Sequence, residues 1–282
     1  MENIEKKKFK VNKKKIIIFS IIIPVLIIFC IWQNNYLQKS YYTYESPKIS
    51  EGLDGYKIVQ ISDLHNKSFG SDQGRLLDKI REYEPDMIAV TGDLIDSTYT
   101  DVEKAMTFIR GAVEIAPTYF ITGNHELWVD YEVKEDLITQ LEDAGVICLI
   151  DESMVIEHEG TKFNLIGLDD NSLSGSVLRA EMEKLDADLF TLLLAHEPQY
   201  LDSYSESDVD LVLSGHAHGG QFILPFIGGL VAPDQGFNPE YYEGEHVQNG
   251  TTMIISRGLG NSVIPLRLFN FPEIVFIELK HI

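Results

Sequence analysis

Beyond residue 52 the chain alternates two kinds of apolar spacing. Residues 57–61, 86–91, 118–122, 189–195 and 209–213 are short runs rich in Ile, Val and Leu that read as strands. Between the first three runs the spacing turns helical. Leu76, Leu77, Ile80 and Tyr83 recur within residues 73–83, and Val102, Ala105, Met106 and Ile109 within residues 100–114. The order β-α-β-α-β predicts parallel strands with right-handed crossovers. Residues 132–144 form a third expected helix, stopped by Gly145. Residues 154–157, 162–167, 251–256 and 273–278 read as shorter strands, some divided only by turn residues such as Glu159-Gly160. They predict a second, mixed sheet packed on the first.

The start of the chain has another pattern. Residues 16–32 form a 17-residue stretch without charge, in which Ser20 is the one clearly polar residue. That length is at the lower limit for a bilayer-spanning helix. Pro24 is tolerated in a membrane helix, and Trp32 and Tyr36 stand where an aromatic interface belt belongs. Gln33, Asn34, Asn35 and Tyr36 offer no small-residue cleavage site, so the stretch reads as an uncleaved anchor rather than a signal peptide. Residues 33–52, polar and aromatic and broken by Pro47, read as a linker. The expected organisation is a basic segment 1–15, a transmembrane helix 16–32, this linker, and one domain over 53–282.

Charge orients that arrangement. The 282-residue chain carries a net −21, yet residues 1–15 carry +5, leaving −26 on the remainder. A lysine-rich flank stays on the cytoplasmic side, which places the body at the cell membrane on the extracytoplasmic face. So acidic a body lacks the cations that displace counterions from nucleic acid, which excludes that partner. The two cysteines, Cys30 in the span and Cys148 in the body, cannot form a disulfide within the domain.

Chemistry collects after the strand-like runs. Asp63-Leu64-His65, Gly92-Asp93, Gly123-Asn124-His125-Glu126, His196 and Gly215-His216-Ala217-His218 each follow one of the five runs directly. Strands of an open α/β sheet end in one crevice, so these clusters would meet. Any one of them alone is an ordinary turn or cap. Together they gather carboxylate, amide and imidazole donors without thiolate, a set that suits Mn, Fe or Zn. Two ions held about 3.5–4 Å apart clamp the attacking and leaving oxygens of a phosphoryl displacement.

The order D-x-H, G-D-x-x-D, G-N-H-E, H, G-H-x-H resembles the calcineurin-like metallophosphoesterase superfamily, over residues from about Lys57 to the C-terminus. The block Gly215-His216-Ala217-His218-Gly219-Gly220-Gln221 and the tail Ser256-Arg257-Gly258-Leu259-Gly260 are similar to its membrane-tethered bacterial branch. The resemblance implies a four-layer α/β/β/α sandwich, the metallo-dependent phosphatase fold, and two divalent ions, Mn first with Zn or Fe as alternatives. It implies Asp63, His65, a bridging Asp93 and His218 on the first ion, and Asp93, Asn124, His196 and His216 on the second. A metal-bound hydroxide would attack, His125 would protonate the leaving oxygen, and Asp96 would orient His125.

Protein phosphatases of the superfamily carry Arg directly after that Asp, whereas this chain has Ser97. Arg257 is then the best candidate for a phosphate contact, a structural salt bridge being the equal alternative. The implied activity is phosphodiester hydrolysis, with monoesters also open, on a phosphoester such as a lipid or cell-envelope polymer. One alternative is a pyrophosphatase for a lipid-linked nucleotide sugar, with Leu224, Phe226, Ile227, Leu230 and Val231 either contacting acyl chains or packed as core. Another is a non-catalytic surface binding protein, which the full ligand set disfavours. Residues 219–250, rich in Gly, Pro, Asn and Tyr, should form a loop over the site. His158, His246 and His281 should lie at the surface, and Asp169-Asp170 reads as a turn or as a supporting acid pair.

Overall fold

A computed structural model describes residues 13–261 and 264–282. The basic segment expected at 1–15 lies outside it for all but its last three residues. In chain order, the helix α1 (Lys13–Asn35) leads into strand β1 (Gln38–Ser46) and then β2 (Lys57–Ile61). The crossover units follow: α2 (Gly74–Arg81), β3 (Met87–Thr91), α3 (Val102–Ala112), β4 (Thr118–Ile121), α4 (Asn124–Trp128), α5 (Tyr131–Asp143) and β5 (Ile147–Cys148). The second half contains β6 (Glu152–His158), β7 (Thr161–Gly167), α6 (Ser176–Met182), β8 (Thr191–Leu194), α7 (Leu201–Ser205) and β9 (Leu211–Ser214). Four two-residue strands follow, β10 (Ile223–Leu224), β11 (Gly228–Gly229), β12 (Val231–Ala232) and β13 (Gly236–Phe237). The chain ends with β14 (Gly244–Gln248), β15 (Thr251–Ile255) and β16 (Glu273–His281).

Two six-stranded sheets result, ordered β1-β16-β2-β3-β4-β5 and β14-β15-β9-β8-β7-β6. Alternation along each strand sends one set of side chains between the sheets and the other outward. Ile58, Ala89 and Ile121 of the first sheet meet Leu192, Leu213 and Ile254 of the second in one buried core. Outward, Val59, Val90 and Phe120 pack under helices α2, α3 and α5 through Leu76, Ile109 and Leu137. On the far side Leu193 and Val212 pack against Leu178 of α6 and Leu201 and Tyr204 of α7. The layers are helices, sheet, sheet, helices, as the sequence pattern and the resemblance imply.

Three expectations change. The five ligand-bearing strands do not share one sheet: β2, β3 and β4 lie in the first, β8 and β9 in the second, and their ends meet across the sandwich. Gln60 pins this junction, donating to Thr91 Oγ1 at 3.1 Å and across the sheets to Ser214 O at 2.8 Å. The strand expected at 273–278 belongs to the first sheet, antiparallel to β2. Much of the expected linker is β1, parallel to β16 from Gln38↔Glu273 to Ser46↔His281. Its sequence alternates, with Tyr42 and Tyr44 packed toward the inter-sheet core and Tyr41 and Thr43 exposed. Because both faces carry tyrosine among polar residues, hydrophobicity alone does not mark it as a strand.

Helix α1 has a window, Ile17–Asn35, that is long and apolar enough to cross a membrane, and it projects from the sandwich with that window almost wholly exposed. Among the described residues, its last turns dock on the sandwich. Phe29 meets Phe269, Trp32 and Tyr36 meet Phe271, and Arg75 donates to Asn35 O.

Candidate metal centre

The ligand-type residues follow the ends of their strands, Asn124 as the first residue of α4, and Asp63, His65, Asp93, Asn124, His196, His216 and His218 are all buried. Asp63, His65, Asp93, His216 and His218 adopt left-handed backbone, with φ from 46° to 63°. Side chains rarely take this conformation, and such strain concentrates where function demands it. The turns also aim backbone donors inward: His125 N–H donates to Asp93 Oδ1 at 2.8 Å, and His216 N–H to Asp63 Oδ1 at 3.1 Å. Gly123 and Gly215 make room for this, since a Cβ would stand 2.4 Å from Asp93 Oδ1 and 1.9 Å from Ser62 Oγ respectively.

Among the groups whose ligand atoms lie within 4.8 Å of one another, two meet at one carboxylate: Asp63, His65, Asp93 and His218, and then Asp93, His196 and His216. Asp93 is common to both, its Oδ2 lying 3.5 Å from His65 Nε2 and 3.4 Å from His196 Nε2. Asn124 Oδ1 joins the second group, 2.8 Å from His216 Nδ1 and 3.2 Å from His196 Nε2.

The hydrogen bonds behind the rings decide what the site holds. Thr91 O can only accept, so its 2.7 Å contact fixes the proton of His196 on Nδ1 and turns the Nε2 lone pair inward. Asp234 Oδ2, 3.1 Å from His216 Nε2, does the same from the other side and turns Nδ1 inward. His196 Nε2 and His216 Nδ1 therefore face Asn124 Oδ1 and the Asp93 carboxylate, which are themselves acceptors. His65 Nε2 and His218 Nε2 stand 3.2 Å apart, close enough to share one proton or one ion. Acceptors converging on acceptors need a proton or a metal ion between them, and this oxygen and nitrogen donor set fits divalent metal ions.

Electrostatics agree. Burial pushes the His65 imidazole down to about 4 and holds His218 well below its ordinary range, with the neighbouring ring and Arg267 adding to the effect. Both are neutral donors at pH 7. Burial raises Asp63 to about 6. Burial opposes the Asp93 anion too, but His196, His65 and His125 outweigh it and hold that carboxyl well below the usual range. The reciprocal effect of Asp93 lifts His196 against its own burial. Without metal, the pocket draws a proton into the position where a cation fits.

His125 lies beside this centre, with its ring 4.4 Å from that of His65 and 5.0 Å from that of Trp128, centroid to centroid. Ser97 N–H donates to His125 Nδ1 at 3.0 Å, so in the neutral ring the proton resides on Nε2. Ser97 Oγ lies 3.1 Å from the same nitrogen. Asp96 forms a group with His65 and His125 whose ligand atoms all lie within 4.8 Å. Its Oδ1 accepts from Thr98 N and Tyr99 N, and its Oδ2 is 3.9 Å from His65 Nδ1.

Several supporting residues had no assigned role in the sequence. Glu126 accepts from Asp93 N, Ile95 N and Gly123 N at 2.8–3.1 Å and ties two ligand turns together. Arg267, fully buried, lies 3.3 Å from His218 Nδ1. Arg257 is the salt bridge of the two alternatives, paired with Glu273 at 2.8 Å and Glu243 at 3.5 Å. His158 is half-buried against Tyr56, His246 sits in β14 near Glu243 O, and His281 is exposed at the end of β16. Asp169 caps a turn through Asn171 N, while Asp170 faces a cavity. The expected covering loop is in part ordered strand: β14 extends the second sheet, and β10–β11 and β12–β13 form small hairpins.

The cavity, about 760 Å³, opens beside Asn124. Trp128, Tyr131 and Tyr200 give it aromatic walls, and Asp170, Glu197 and Asp234 give it acidic ones. Burial raises Asp170 to about 8, with the carboxylates of Glu197 and Asp93 contributing.

The family model described as calcineurin-like phosphoesterase matches residues 56–220, a span that contains every ligand-type residue above. The uncharacterized metallophosphoesterase YkuE of Bacillus subtilis (strain 168) is 32% identical over 250 residues, covering 86% of each chain. The phosphodiesterase YaeI of Escherichia coli (strain K12) is 31% identical over 237 residues, covering 79% of this chain and 82% of YaeI. The uncharacterized metallophosphoesterase YkoQ of Bacillus subtilis (strain 168) is 28% identical over 235 residues, 81% of this chain and 86% of YkoQ.

Proposed function

The chain belongs to the calcineurin-like phosphoesterase family and is a metal-dependent phosphoesterase, and from that premise we propose that it hydrolyses phosphodiesters while anchored in a membrane. The observation that carries the catalytic reading is the pair of tautomer-locked imidazoles, His196 and His216, turned toward Asn124 and the shared Asp93. In this reading Asp63, His65, Asp93 and His218 hold one divalent ion, and Asp93, Asn124, His196 and His216 a second. Such ions lower the pKa of water toward neutrality and neutralise the phosphoryl oxygens.

The protein supplies the rest. Nε2 of His125 holds the proton that the leaving oxygen needs, because Nδ1 is occupied by Ser97 N–H. Asp96 shapes the turn that presents Ser97, and so positions His125 through that residue. The cavity lies on the same side as Trp128, whose ring packs on His125, and receives the leaving group there.

Preference for diesters follows from charge. A phosphomonoester carries about −1.5 to −2 at neutral pH, a diester −1. The cavity wall offers Lys134 against Glu197 and Asp234, with Asp170 largely protonated at neutral pH, and both buried arginines are committed elsewhere. The same acidic wall weighs against a nucleotide diphosphate. The N-terminal lysines and the apolar helix support an anchor with the body on the extracytoplasmic side. The test is turnover of bis(4-nitrophenyl) phosphate against 4-nitrophenyl phosphate by the full chain with Mn²⁺. Faster monoester turnover would count against the diester reading, and protease resistance of the body on intact cells against the topology.

A further inference from the structure

We infer that the turn Pro225-Phe226-Ile227, together with Phe269, inserts into the lipid surface that α1 crosses and seats the catalytic body against that surface. The inference rests on the reading of α1 as a membrane span.

Two segments of this acidic body are free of acidic residues: 219–233 has no charge at all, and 258–272 has only Arg267, which is buried. The fold places them side by side. Phe222 bridges to Leu268, and Ile223 N–H donates to Leu268 O at 3.0 Å. Gln221 Nε2 donates to Ile264 O and Leu266 O.

This pair of segments is also where α1 docks. Asn34 Oδ1 accepts from Arg267 N–H at 3.2 Å, and the Phe29 and Phe269 rings lie 6.0 Å apart. At 1.5 Å per residue, Phe29 is about 9 Å up the helix from Asn35. Phe269 therefore meets α1 within its apolar stretch, where a spanning helix is already surrounded by lipid. Phe269 nonetheless leaves half its surface uncovered by protein.

The β10–β11 hairpin continues the surface. Phe226 at its tip is fully exposed and Ile227 is 60% exposed, so these residues are not the packed core that one reading of the sequence allowed. Phe226 also holds φ at 69°, a costly conformation for a bulky aromatic, kept here with no protein packing to compensate. Water gives no return for that arrangement, whereas lipid does: burying such side chains is worth roughly 25 cal/mol per Å². The loop starts directly after His218, so the same segment joins the metal centre to the lipid surface.

The test uses the full chain carrying Cys30→Ser and Cys148→Ser, with one new cysteine bearing an environment-sensitive fluorophore. The protein is reconstituted into phosphatidylethanolamine–phosphatidylglycerol vesicles containing nitroxide-labelled lipid. Labels are compared at Phe226→Cys, at Ile22→Cys in α1 and at Ile282→Cys. Ile282 follows β16, nine residues from Glu273, and so about 30 Å further from α1. Quenching at 226 close to that at 22, and several-fold above that at 282, is expected. Quenching at 22 with none at 226, or equal quenching at 226 and 282, overturns the inference alone. No quenching at 22 overturns the membrane span, and the inference with it.

Discussion

Ser97 N–H donates to His125 Nδ1 at 3.0 Å, which fixes the ring so that Nε2 carries its proton. The family resemblance pairs His125 with Asp96, whereas the geometry puts the adjacent residue on that nitrogen. His125→Asn should lower kcat by roughly 10²–10⁴-fold with metal content unchanged. The loss should be greater for alkyl than for nitrophenyl leaving groups, which barely need a proton. Loss of metal, or an equal loss on both ester classes, would show that His125 is a ligand or phosphate clamp. Ser97→Ala keeps the backbone donor and should cost under about tenfold in kcat.

Asp93 is the carboxylate common to both ligand groups. Asp93→Asn should abolish turnover and lower the bound metal together, read by elemental analysis of the purified variant. Full metal occupancy in that variant would refute the bridging assignment.

Glu126 accepts three backbone N–H groups, from Asp93, Ile95 and Gly123. Glu126→Gln replaces one acceptor oxygen with a donor and leaves at least one of those buried N–H groups unpaired, typically a cost of about 1–3 kcal/mol. Because the turns it joins carry Asp93 and Asn124, metal affinity should fall about 10–100-fold, as for other changes just behind metal ligands. Competition with a chromogenic chelator measures it, and an unchanged affinity would show that the turns hold without it.

Burial, with Glu142 and Glu152 nearby, pushes the Cys148 thiol from an ordinary 9.0 up to about 12. In a Cys30→Ser background, iodoacetamide at pH 8 should react far more slowly with the native chain than with the denatured chain. The raised value means the folded chain keeps a proton that the unfolded chain gives up. This group's contribution to stability therefore falls as pH rises from 9 toward 12. Equal rates in the two states would contradict its buried setting.

How much of this was legible in the sequence depends on how local each signal is. Gly123-Asn124-His125-Glu126 and Gly215-His216-Ala217-His218 directly follow apolar runs, so strand, turn and ligand could be read from contiguous residues. The helices at 73–83, 100–114 and 132–144 were legible from spacing and fall within two residues of those observed. What was hidden depends on distant partners. Nothing near Gln60 points to Ser214, nothing near Asp234 to His216, and nothing near Arg267 to His218. The strand β1 was hidden because its partner, β16, comes at the end of the chain and its tyrosines carry a polar tip on both faces.

The central claim is that Asp63, His65, Asp93, Asn124, His196, His216 and His218 form one two-ion centre that hydrolyses phosphoesters. The most direct measurement is a titration of the metal-stripped full chain with Mn²⁺, following bound metal and bis(4-nitrophenyl) phosphate turnover in the same samples. The account predicts activity that rises with occupancy and saturates at about two ions per chain. Saturation below about one ion per chain, or a folded chain holding both ions without turnover of any phosphoester, would contradict it.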